Sequence, residues 1–152
     1  MSDQNRLEKS FEEYYRTVLK DKELVLKALD HSGDLEVKEM YALAGDALLD
    51  FHLFEYLMDK PNQSKQVMDN MRQKINTDPN FARIGRLMGL KTYIKFPHSA
   101  PEIEKETADS YYNMTLEALA YVVFKEGDIV ASRDFFGRFI EPEVEKLTSG
   151  RR

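Results

Sequence analysis

The chain has 152 residues, 42% hydrophobic and 32% charged, the balance of one soluble globular domain able to bury a core without staples. It has no cysteine, which excludes disulfides, thiolate zinc sites and cysteine nucleophiles and fits a reducing compartment. The net charge of −5 speaks against a nucleic-acid partner, but residues 60–95 carry eight basic side chains against Asp69 and Asp78, which is +6 locally and −11 elsewhere. Such a split suits one phosphate-facing surface, and it equally suits a solvated helix face with chance clustering. The opening MSDQNRLEKS lacks the apolar stretch of a signal peptide, and the longest apolar run, ALAYVVF, is too short to span a bilayer. A cytoplasmic protein without a membrane segment is the expectation.

Apolar residues at Leu7, Phe11, Tyr14, Tyr15, Val18 and Leu19 predict a helix over residues 5–20. Asp21 caps a short helix ending near His31, which Ser32, Gly33 and Asp34 break. A long helix follows over about 35–58, apolar on most of its circumference and therefore expected to be central and buried. Pro61 and Asn62 mark the next junction, and a polar helix runs to about Ile75. The turn Asn76-Thr77-Asp78-Pro79 supplies a cap and a proline for a short helix over 81–88, stopped by Gly89. Residues 92–96 alone look extended. Pro101 opens a long helix to about Lys125; Gly127 ends it, and Asp128 caps a last helix to about Leu147. The expected fold is all-α, a single domain over residues 1–152 with its core at about 5–147 and seven or eight helices.

Two acids lie deep in apolar helices: Asp46, in YALAGDALLDF (residues 41–51), and Glu117, in MTLEALAYVVF (residues 114–124). A lone carboxylate in such surroundings costs several kcal/mol to desolvate without a compensating partner. Positions 46 and 50 share a helix face, as do 113, 117 and 121. If the two long helices pack side by side, Asp46, Asp50 and Glu117 converge. Magnesium takes oxygen ligands and keeps several waters, so two or three carboxylates are a sufficient protein contribution. The alternative is that these acids reach solvent through a groove or pair with Lys or Arg. No Glu-x-x-His pair occurs, which argues against a di-iron bundle. His31, His52 and His98 lack ligand spacing, which disfavours zinc. His52 reads as a half-buried polar contact, and Met40, Met58, Met88 and Met114 read as core filler. There is no glycine-rich phosphate loop and no nucleophile elbow.

Four segments in order resemble a ribonuclease III domain over most of the chain. KALDHSG (27–33) resembles the family's Ala-Leu-Thr-His-Arg-Ser opening, without its Arg. EMYALAGDALLDFHLFEYL (39–57) resembles the signature Glu-x-x-Glu-Phe-Leu-Gly-Asp-Ala. NFARIGRLMGL (80–90) resembles Leu-Ala-Arg-Ile-Ala-x-x-Leu-Gly-Leu. TLEALAYVVFKEGDIVASRDFFGRFI (115–140) resembles the second catalytic helix and the helix after it.

The resemblance implies the ribonuclease III endonuclease fold and a Mg2+-dependent endoribonuclease, with Mn2+ able to substitute. The implied substrate is double-stranded or structured RNA, with a role in RNA processing, including rRNA. It also implies a homodimer in which each chain cuts one strand. Asp46 and Glu117 match two of the family's four metal-site carboxylates; the other two positions hold Ala42 and Met114. Glu39 matches a further acid of the signature, and Asp50 is placed to assist. The compact Mini-III branch, which lacks the double-stranded-RNA-binding domain, resembles this pattern, with a small residue four before the Asp and a non-acid three before the Glu. Without that domain, phosphate contacts fall to Lys65, Arg72, Lys74, Arg83, Arg86 and Lys91. The absent acids leave a second reading open: a ribonuclease III fold that has lost catalysis and serves as an RNA-binding or ribosome-associated structural module.

Overall fold

The computed structural model describes residues 3–98, 105 and 108–149. Among these, helices account for nearly all regular structure: α1 (Asp3–Thr17), α2 (Lys22–Leu29), α3 (Leu35–Met58), α4 (Lys65–Ile75), α5 (Asp78–Leu87), a 3-10 turn (Leu90–Thr92), α6 (Asp109–Phe139) and α7 (Glu141–Thr148). Four helices start where a short polar side chain can satisfy a free N–H of the first turn. Asp21 accepts from the Leu24 N–H at 3.1 Å, and Asp34 from Glu36 at 2.9 Å. Ser64 accepts from Val67 at 3.1 Å, and Thr77 from Asn80 at 3.2 Å. Gly89, at φ 75°, ends the α5 segment in the left-handed region that glycine enters without strain.

The core is built on the contact between α3 and α6, around which the other helices pack. Gly45 lies against Glu117, Phe51 shares a groove with Phe124, His52 Nε2 is 2.7 Å from Ser132 Oγ, and Arg133 bonds Glu55 at 2.8 Å. Partners advance together along both helices, so α3 and α6 run in the same direction. Helix α1 lays Phe11 and Tyr14 across the far side of α6, with their rings edge-on to Phe139 at 5.7 and 5.3 Å. The α2–α3 junction is pinned by two buried side chains. Lys38 Nζ donates to the carbonyls of Lys27 and Asp30, neutralising the end of α2. His31 Nε2 meets Thr115 Oγ1 at 2.7 Å, and Thr115 donates onward to the Tyr111 carbonyl. Burial, aided by Lys38, holds His31 down to about 4, so it is neutral at physiological pH.

Several expectations are corrected. The stretch 92–96 is not a strand: Leu90–Thr92 is a 3-10 turn, and only Lys95 pairs in extended fashion, in a single bridge to Asp30. The start expected at Pro101 lies outside the described residues. The break expected at Gly127 is present: Gly127 at φ −141° and Asp128 at φ 61°, ψ −159° leave helical geometry and divide α6 at a kink into two helical segments, the second reaching Phe139. A further break, not expected, comes at Ile140, before Pro142 in the first turn of α7. His52 is buried rather than half-buried, held between Glu55 and Ser132. Helix α3 is not buried all round: Ala42, Gly45, Leu49, Leu53 and Leu57 face inward, while Leu43, Met40 and Phe51 are 74%, 60% and 48% exposed. No other helix of the described chain covers that side, so Met40 and Met58 are surface residues and not core filler.

Asp128 occupies backbone space that only glycine enters freely, at a cost of about 1–3 kcal/mol. Asp128→Gly is expected to stabilise the chain by about 1 kcal/mol once the greater freedom of unfolded glycine is subtracted. Urea denaturation should show the transition midpoint rise with an unchanged slope.

Candidate active site

Asp46 and Glu117 meet where the two long helices touch. A Cβ built on Gly45 would stand 1.6 Å from the Glu117 carbonyl oxygen, so backbone contacts backbone here and only glycine fits. That close approach sets the next residue, Asp46, within hydrogen-bonding reach of the Glu117 carboxyl. Burial comes first, followed by the Asp46 charge and hydrogen bond and then the charges of Asp78 and Asp50; together they push Glu117 up to about 9. At neutral pH the Glu117 carboxyl therefore keeps its proton. Among the described residues no lysine or arginine forms an ion pair with either acid.

Asp50 sits one turn further along α3, half-buried, and accepts a 2.6 Å hydrogen bond from Asn76 Nδ2 at the end of α4. Burial raises its pKa, the Asn76 bond opposes that, and Asp46 adds to it. Glu39 does not join the pair. It is exposed, about 10 Å before Asp46 along α3, and is not among the charges acting on Glu117. Ala42 is buried and Met114 half-buried on the turns preceding the pair. Tyr41 and Tyr121 flank it edge-to-face at 4.9 Å.

The six basic candidates separate into two groups. Arg83 and Arg86 are spent on the fold. Arg83 reaches Glu143 of α7 at 2.6 Å, while Arg86 bonds Asp109 at 2.5 Å and stacks over Tyr112. Lys65, Arg72 and Lys74 lie along α4. Arg72 is held by Asp69 at 2.9 Å, and the charges of Asp50 and Asp46 act on it, so it stands at the rim of the acid pair. Lys65 and Lys74 are exposed, as is Lys91 on the 3-10 turn.

Two residues that bear on the site had no assigned role in the sequence: Asn76, which orients Asp50, and Asn113, buried on α6 one turn before Glu117. Only the shared face of 113 and 117 signals the second.

Among the described residues no three His, Asp or Glu side chains gather closely enough to hold a metal ion. What the chain offers is a two-carboxylate edge. A hard divalent cation that keeps most of its waters fits such an edge, and its charge would offset the burial and the neighbouring negative charges that keep Glu117 protonated.

Comparison with known proteins agrees with this architecture. "Ribonuclease 3" of Pseudothermotoga lettingae is 26% identical over 141 residues, 85% of this chain and 59% of that protein. "Ribonuclease 3" of Streptococcus mutans is 25% identical over 148 residues, 91% of this chain and 64% of that protein. The chain thus spans about three-fifths of the length of these relatives. The nuclease domain of ribonuclease III from Campylobacter jejuni superposes with a TM-score of 0.74 at 26% identity, covering 90% of this chain and 95% of that one. A second structure of the same domain, 24% identical, covers both chains completely at 0.71 and shares the fold. Residues 21–144 match the family described as ribonuclease-III-like, and the chain belongs to that family.

Proposed function

We propose that this protein is an endoribonuclease that hydrolyses the backbone of double-stranded or structured RNA, with a divalent cation, Mg2+ or Mn2+, held by Asp46 and Glu117. The supporting observation is the isolated carboxyl pair, pressed together by Gly45 in a fold whose relatives are named ribonucleases. A bound cation would stabilise charge on the scissile phosphate and acidify a coordinated water.

The chain's own residues do the rest. The Gly45 contact preorganises the two carboxyls, so little rearrangement is needed to grip the ion. Asn76 fixes Asp50, which keeps a further acid one turn from the pair, where it would help to hold a hydrated cation. Lys65, Arg72 and Lys74 present α4 to the phosphates, and such contacts read the shape of a duplex rather than its sequence. Arg83 and Arg86, committed to Glu143 and Asp109, brace α5. Structured precursors such as ribosomal RNA in the cytoplasm are the proposed substrates. Among the described residues no helix is long and apolar enough to cross a membrane.

The exposed side of α3 fits a second copy of the chain. Leu43 and Phe51 stand beside an apolar groove of about 470 Å³ lined by Ala44, Ala47, Leu48, Tyr121 and Phe124. The Campylobacter nuclease domain is described as having a region involved in dimer formation. An exposed apolar face on the side of α3 away from the core suits a self-complementary two-fold contact. Leu43→Glu should convert a dimer to a monomer in sedimentation velocity while leaving the circular dichroism unchanged. A wild type that sediments as a monomer at micromolar concentration would remove the dimer.

The function is tested by incubating long duplex RNA with the protein and Mg2+, beside Asp46→Asn. Cleavage by wild type alone supports the nuclease. Duplex binding without cleavage under Mg2+ or Mn2+ overturns it in favour of an RNA-binding module.

A further inference from the structure

We propose that Asn113 supplies a third, neutral oxygen to the cation held by Asp46 and Glu117, in the space left by the missing acids at positions 42 and 114. The inference rests on the cation site proposed above and deepens it.

The placement follows from helix geometry. Asn113 and Glu117 are one turn apart on one face of α6, with Cβ atoms about 5–6 Å apart. Side chains on a helix lean toward its N-terminus, so the Glu117 carboxyl is carried back over the turn that holds Asn113. Because α3 and α6 run in the same direction through the Gly45–Glu117 contact, that turn is level with Ala42 on α3. Neither Ala42 on that turn nor Met114 next to Asn113 in the chain brings an oxygen donor in its side chain.

Asn113 is only 6% exposed, and its amide makes no hydrogen bond within the described chain. Its amide oxygen is thus not committed to another protein group. Amide oxygens are ordinary ligands for hard divalent ions. A neutral donor has one advantage here. It adds coordination without adding a further negative charge beside Asp46 and Glu117.

The test compares wild type with Asn113→Ala and Asn113→Asp by calorimetric titration with Mn2+ and by melting with and without the ion. Asn113→Ala should weaken Mn2+ binding about 10-fold, within the range seen when groups around a metal are removed. Asn113→Asp should tighten it and enlarge the metal-induced rise in Tm, because a third charge destabilises the apo protein and is relieved by the ion. A merely structural amide would change the apo Tm and leave the Mn2+ affinity and the size of the shift untouched; that result overturns the assignment of Asn113 alone. A wild type that binds no Mn2+ overturns the assignment together with the cation site.

Discussion

Replacing Glu117 by Gln yields a protein that melts higher than wild type without a divalent ion and does not cut RNA. The half-buried Glu117 carboxyl sits at about 9, against an ordinary glutamate value of 4.5. Between those two values the folded state holds a proton that the unfolded chain has released, so wild-type stability falls as pH rises through that window. Glutamine keeps the shape, carries no charge at any pH and escapes the loss. At pH 7.5 the gain should be about 2 kcal/mol after allowance for partial solvent access, or roughly 5 °C in Tm. Near pH 4.5 the two proteins should converge. Excess Mn2+ reverses the order, since only wild type can bind the ion through both acids and be stabilised by it. Cleavage should drop by at least about 100-fold, the scale of losing a ligand from a metal that stabilises the transition state. Melting curves from pH 5 to 9 in chelator check the first part. If the gap between variant and wild type does not widen with pH, Glu117 is not held protonated in the folded chain and the site fails.

Gly45→Ala should be the most damaging single-methyl change in the chain. The added carbon would lie 1.6 Å from the Glu117 carbonyl oxygen, less than half an ordinary contact distance, and the obstacle is backbone. The α3–α6 crossing must open by well over 1 Å, which loosens the central packing. The expected cost is about 3 kcal/mol or more, read as a lower urea midpoint. Function should suffer beyond stability, because the same opening draws Asp46 away from Glu117 and lowers Mn2+ affinity even in the fraction that stays folded. Gly33→Ala is the control: no atom lies within 4 Å of its Cβ position, so the substitution should be silent. A Gly45→Ala protein with wild-type stability would show that the helices do not meet as described.

What could be read from the sequence alone was local. Asp21 and the turn that holds Thr77 each announce a helix because a capping side chain bonds an N–H three residues ahead, an interaction complete within one turn. Helix periodicity likewise put residues 46 and 50 on one face and 113 and 117 on another, and the family resemblance singled out the two acids that do meet. Tertiary structure decided everything that depends on a distant partner. Arg83 and Arg86 look like free phosphate contacts until Glu143, 60 residues away, and Asp109 claim them. The apolar circumference of α3 could not reveal that one side has no cover within the chain, because neighbours and not composition determine burial. Above all, Gly45 in a run of small and apolar residues becomes the point where two backbones touch only once α6 is laid against it. Capping energies arise from atoms a few bonds apart, whereas the carboxyl pair exists only through the crossing of two helices separated by some seventy residues.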